Sequence, residues 1–250
     1  MESAGAPAEQ RLKMFEERRE IILQRDDATA RMISLYLIAG KYDNAIAVLH
    51  GRRFHVWEGN EGFVHSLYTD AHLLKGRSFL RGGDAIRALE EFRLSGLYPQ
   101  NLEMGEPSDG GRIAETSYWM GMAYEASGDS QNAVLSFQKS VSKERQGSAL
   151  AYYQALSWRK LGNNSKADEM LSDLISHSMR LIEAAEETAF FEKFGQKESD
   201  SKRKSSLHTL CGLGFLGLGD IEHAKQELKT ALQFNPNHLM AKIEMEEMAL

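Results

Sequence analysis

Apolar residues recur three to four positions apart along most of this chain, in runs that predict helix after helix. Five of these runs share one skeleton: 32–49, 72–92, 117–137, 151–171 and 208–228. Each turns at a glycine: Gly40, Gly83, Gly128, Gly162 or Gly219. Five residues after it stands Ala45, Ala88, Ala133, Ala167 or Ala224. Four before it stands an aromatic: Tyr36, Phe79, Tyr124, Trp158 or Phe215. Seven before it stands a small residue in four copies (Gly76, Gly121, Ala155, Gly212), with Ile33 as the exception. Nine after it stands Leu49, Phe92, Phe137, Leu171 or Leu228. A glycine ends the first helix of each pair because a left-handed residue costs little only there. The small residues let two antiparallel helices approach. The large ones fill the space between pairs, so the pairs must stack to bury their apolar faces.

This skeleton resembles the tetratricopeptide repeat, most fully in the fifth copy, which Ala231 and Pro236 close. The resemblance implies an all-α, right-handed solenoid of about five helical hairpins with insertions. No copy carries the family's Trp near the start of the first helix. The turn glycines are 43, 45, 34 and 57 residues apart, so three intervals exceed the family's roughly 34. The expected organisation is a polar lead-in at 1–10 and one helical domain over 11–250. Its repeats fall near 27–51, 68–97, 113–142, 148–194 and 205–235, with a capping helix at 237–250. The stretch "EQRLKMFEERREIILQRDD" reads as one further helix ending at Asp26 and Asp27, the second helix of an earlier repeat. Residues 98–113, rich in Pro, Gly and Asn, read as a loop. The second helix of the fourth repeat runs on toward Phe191, and 195–206 reads as a polar connector.

The segments "ERREIILQRDD", "LYLIAGKYDNAIAVLHGRRFHVWEGNEG", "YPQNLEMGEP" and "YWMGMAYEASGD" occur in order. They are similar to the C-terminal repeat region of large bacterial proteins whose N-terminal domain of unknown function resembles carbohydrate-active β-sandwich proteins. That resemblance implies a fragment or stand-alone relative and no defined activity. The family pattern has a Gly where Asn60 stands and favours a His where Ser117 stands, so any chemistry of that His is lost here.

Composition changes the picture little. The chain of 250 residues has a net charge of −6, which argues against nucleic acid as a partner. A single cysteine, Cys211, excludes an internal disulfide and suits a reducing, cytoplasmic setting. It sits within an apolar helix and reads as a buried, inert thiol. No run of about 18 apolar residues suggests a membrane span.

The first insertion, "GRRFHVWEGNEGFVHSLY", concentrates the unusual chemistry. His55, His65 and His72 with Glu58 or Glu61 offer metal-ligating types, without tight His-x-x-x-His spacing. Glu58 and Glu61 beside glycines offer carboxylates for a pocket, without a nucleophile or oxyanion site. Phe54 and Trp57 suit a plug between the first two repeats, and Trp57 with Arg52, Arg53 and Glu58 could meet a ligand.

In this repeat class the first helices line the concave face. The positions expected there are Leu73 and Arg77, Tyr118 and Met122, and Tyr152 and Leu156, with Arg81, Glu125 and Arg159 one turn on. Tyr, Met and Arg suit recognition; tyrosines at this spacing also suit packing between repeats. The chaperone-tail clamp of some relatives needs Lys and Asn, and these positions lack them. The expected function is a non-enzymatic scaffold that binds a protein, a peptide or a sister domain. The alternatives are an accessory module of a carbohydrate-related enzyme, using the Trp57 loop, and a self-associating module. No catalytic residue, metal or cofactor is expected, and no nucleic-acid or membrane partner.

Overall fold

The computed structural model describes residues 7–55, 62–143, 146–189 and 197–249. Among these residues the chain is helical, with no strand. In order the helices are α1 (Ala8–Glu17), α2 (Arg19–Ile22), α3 (Asp26–Ile38), α4 (Tyr42–His50), α5 (Phe63–Arg81) and α6 (Ala85–Ser95). A 3-10 turn, Gln100–Leu102, lies in the second insertion. Then come α7 (Ile113–Ala126), α8 (Ser130–Ser140), α9 (Ala149–Lys160), α10 (Asn164–Ala189), α11 (Lys197–Leu218), α12 (Ile221–Phe234) and α13 (Leu239–Glu247).

The chain forms two compact units, Met1–Ala133 and Val134–Leu250. In the first, α5 packs against its partner α6 and against α4, and α6 against α7; first helices also touch in the order α3, α5, α7. In the second, α9, α10, α11, α12 and α13 pack in succession, and α9 touches α11. Each unit is therefore a stack of helical hairpins, and the all-α helical-repeat class expected from the sequence is the one observed.

The five turn glycines all have positive φ, between 69° and 84°. At each corner the residue after the glycine donates its N–H to the aromatic's carbonyl: Lys41 to Tyr36, Asp84 to Phe79, Asp129 to Tyr124, Asn163 to Trp158 and Asp220 to Phe215. The glycine N–H goes to the carbonyl three back. This double bond pattern satisfies carbonyls that the helix end would otherwise leave open. The alanines five residues on are all buried, none above 3% exposed, and the large residues nine on are no more exposed than 2%. Gly76 faces Phe92 and Gly212 faces Leu228, so the small and large positions of one hairpin meet directly.

The residue after the glycine does a second job in four of the five corners. Asp84, Asp129, Asn163 and Asp220 each accept the N–H three residues on, capping the second helix of the pair. At Asp84 and Asp220 the backbone N–H bond leads, and at Asp129 the Asn132 side-chain bond does; together these hold the carboxyls below their ordinary 3.8. A carboxylate lowered by folding adds stability that is complete above 3.8 and is lost as pH falls through the lower folded value. Urea midpoints should therefore drop on acidification below that point. Replacing the three aspartates by asparagine should flatten the drop while keeping the caps, as Asn163 already does; an unchanged acid slope would refute the assignment.

Two expectations need correction. The front segment is not one helix: it breaks at Arg18, and α2 ends at Ile22. There the Arg52 guanidinium takes the Leu23 carbonyl, and the Thr29 hydroxyl bonds the Ile22 and Arg25 carbonyls. These side chains turn the chain into α3. The polar connector is also helix from Lys197 on, because its polar residues hide a packed face. Ser205 is fully buried and donates to the Ala231 carbonyl, and Leu207 is buried beside it.

Candidate binding surface

The expected recognition residues fall into two kinds. Arg77, on α5, is buried, with its guanidinium 4.5 Å above the Trp119 ring of α7. Tyr118 is buried edge-on against the same ring, and Phe92 stacks on it at 6.0 Å. Leu73 is core. These side chains join α5 to α7 and present little surface. One turn on, Arg81 and Glu125 are exposed and Met122 is half-buried. In the second unit Tyr152 is buried edge-on against Tyr153, and Leu156 is half-buried. Arg159 binds the Gly217 carbonyl and the Asp168 carboxylate, so it ties α9 to the end of α11.

The start of the first insertion, up to His55, is anchored. Phe54 is 1% exposed, and its N–H donates to the Asn101 carbonyl of the second insertion. The Asn101 amide returns two bonds, to the carbonyls of Leu49 and Arg52. The exposed Arg53 pairs with Glu103 at 2.9 Å. Trp57, Glu58 and Glu61 lie outside the described residues. The three histidines go to separate places. His55 meets Asp26. His65 stacks on Tyr98 at 4.1 Å and contacts the Leu97 carbonyl. His72 meets Glu91 at 2.6 Å. No group of three or more His, Cys, Asp or Glu is placed to hold a metal among the described residues.

The His72–Glu91 pair belongs to a polar chain not foreseen from the sequence. Glu91 also accepts from Lys75, which reaches Asp43. Burial alone would raise the Glu91 carboxyl, but the His72 and Lys75 bonds outweigh it and hold it below its ordinary value. Burial and the Glu91 charge push the Tyr68 hydroxyl up to about 12. The fifth repeat repeats the motif, with His208 on Glu227 at 2.7 Å. Both pairs sit eleven residues before and eight after their turn glycines. Each clasps the two helices of its own hairpin. Ser117 and Ser136 stand at these positions in the third copy, where no such clasp can form.

Further ionic links hold the second insertion. Arg112, just before α7, bonds Asp70 of α5 at 2.6 Å and Glu115 at 2.7 Å. Cys211 is fully buried, and burial with the Glu227 charge pushes its thiol up to about 12. No helix among the described residues is long and apolar enough to cross a membrane.

Residues 114–146 match the sequence model of the tetratricopeptide repeat. That stretch holds most of α7, its Gly128 corner and α8. The chain is also similar to two solved structures. One is the crystal structure of YrrB, described as a TPR protein with an unusual peptide-binding site. It shares 13% identity over 98% of this chain and 100% of that one, at a TM-score of 0.33. The other is MamA, with 17% identity over 80% of this chain and 92% of that one, at a TM-score of 0.30.

Proposed function

We propose that the protein is a non-enzymatic scaffold that binds a peptide or an extended protein segment along the exposed edge of α5 and α7. One observation carries this reading: α5 and α7 are locked side by side through Arg77, Trp119 and Tyr118, while Arg81, Met122 and Glu125 remain accessible one turn on. A rigid base with both charge signs and a thioether at its surface favours recognition, because little ordering is needed on binding. Arg77 and Tyr118 support the strip from below, so partner contact falls to the three outer residues.

Peptides selected from a displayed random library against the full chain test this. Arg81→Glu combined with Met122→Ala should weaken the selected peptides about tenfold or more, as loss of a charge-assisted bond and an apolar contact implies. Helicity should not change, and the urea midpoint should fall only slightly, since Arg81 is exposed and Met122 half-buried. Unchanged affinity would remove the α5–α7 strip from the function.

A further inference from the structure

A second place in the first unit has the makings of a ligand site. A cleft of about 350 Å³ opens between α2 and the end of α4, lined by Arg19, Arg52 and Arg53 above an apolar floor of Leu23, Ala47 and Val48. Its size falls in the range of small ligand sites. Two of the three guanidiniums have carboxylate partners: Arg52 has Asp26 and Arg53 has Glu103. Arg19 contacts only the Tyr36 hydroxyl, at 3.4 Å, and has no carboxylate among the described residues. The cleft thus keeps one positive charge in excess.

The donors are also unevenly used. Arg52 spends its Nη1 on the Leu23 carbonyl and the Thr29 hydroxyl, and its Nη2 on Asp26. Its Nε–H is buried and meets no acceptor among the described residues. A buried donor without an acceptor is destabilising. Arg53 uses its Nε on Glu103, and its terminal nitrogens make no bond among the described residues. Two helix ends point their carbonyls this way and would repel an anion. The Leu23 carbonyl is covered by Arg52, however, and the Leu49 carbonyl by Asn101.

We propose that this cleft takes the side-chain carboxylate of an acidic residue in a partner peptide, with an aliphatic neighbour on the Leu23–Ala47–Val48 floor. One excess charge matches a monoanion better than a phosphate, and the floor has no use for a fully solvated ion. The proposal rests on the scaffold reading but names a different surface from the α5–α7 strip.

Fluorescence anisotropy on the full chain tests it, using a fluorescein-labelled peptide of alternating leucine and glutamate and its glutamine counterpart. The glutamate peptide should bind saturably, and the glutamine peptide about tenfold more weakly, as for loss of a charge-assisted bond. Arg19→Glu and Arg53→Glu should each weaken the glutamate peptide several-fold; Arg19→Glu should leave the urea midpoint in place, whereas Arg53→Glu also sets a carboxylate against Glu103 and lowers it slightly. Arg81→Glu should leave it unaffected. Absence of saturable binding, equal affinity for both peptides, or indifference to both charge reversals would overturn the proposal. So would displacement of the peptide by inorganic phosphate at matched ionic strength, which would make the cleft a phosphate site. Loss with Arg81→Glu alone would reject the cleft and leave the strip; failure of the library-selected peptides at the strip would not touch the cleft.

Discussion

Gly76→Ala should destabilise the first unit by about 2 kcal/mol, even though alanine is the better helix former. Gly76 lies inside α5, where replacing glycine by alanine normally gains about 1 kcal/mol. Here the added methyl would sit 2.4 Å from Phe92 Cε1 and 2.6 Å from Cδ1. The ring cannot retreat: Phe92 is fully buried and stacked on Trp119. Overpacking of this kind costs about 1–3 kcal/mol, sometimes more, and outweighs the propensity gain. Urea unfolding of wild type, Gly76→Ala and the double variant with Phe92→Leu is the measurement. The double variant should recover part of the loss over Phe92→Leu alone, because leucine leaves room at the ring edge. A stabilised Gly76→Ala would show that the hairpin opens freely at this contact. Gly83→Ala separates the two roles of glycine: nothing lies within 4 Å of its Cβ, but its φ is +79°. Its cost, about 1–2 kcal/mol, is purely that of a left-handed backbone.

That contrast also explains what could be read from the sequence. The corners, the alanines and the small–large pairs answer to backbone geometry. Only glycine suits the left-handed turn, and only a small side chain fits against Phe92 or Leu228. The corner glycine and the alanine recur at fixed offsets in every copy and the small residue in four of the five, so even imperfect copies reveal them. The caps at Asp84, Asp129, Asn163 and Asp220 stand as the residue after each of four corners, at a polar position that an apolar repeat pattern does not mark. The start of α11 escaped because composition cannot show that a serine such as Ser205 is buried on a carbonyl. The exposed strip was only half legible. Helical register sets Arg77 and Arg81 one turn apart on α5, but which of them reaches solvent depends on Trp119, a neighbour in space. The His72–Glu91 and His208–Glu227 clasps are legible in the polar positions, since both pairs hold the same offsets from their turn glycines.

Arg112→Met should cost about 2–3 kcal/mol, most of it recovered when Glu115 is neutralised as well. Arg112 stands between Asp70 and Glu115, whose side chains are 24% and 6% exposed. Burial alone would lower the affinity of its guanidinium for the proton, but the two carboxylates outweigh burial and raise it above its ordinary value. Removing one partner of a buried ionic cluster leaves uncompensated charge and typically costs 3–5 kcal/mol. Arg112 is itself a quarter exposed, so solvent screens part of that and the lower figure applies. Methionine keeps the aliphatic bulk, so the loss is electrostatic. The variant leaves the Asp70 and Glu115 carboxylates with no cation between them. Adding Glu115→Gln should therefore restore most of the loss, because it removes one of the two uncompensated charges. If the double variant were no more stable to urea than Arg112→Met alone, the triad would be a packing feature, and the link between the second insertion and α5 would not depend on charge.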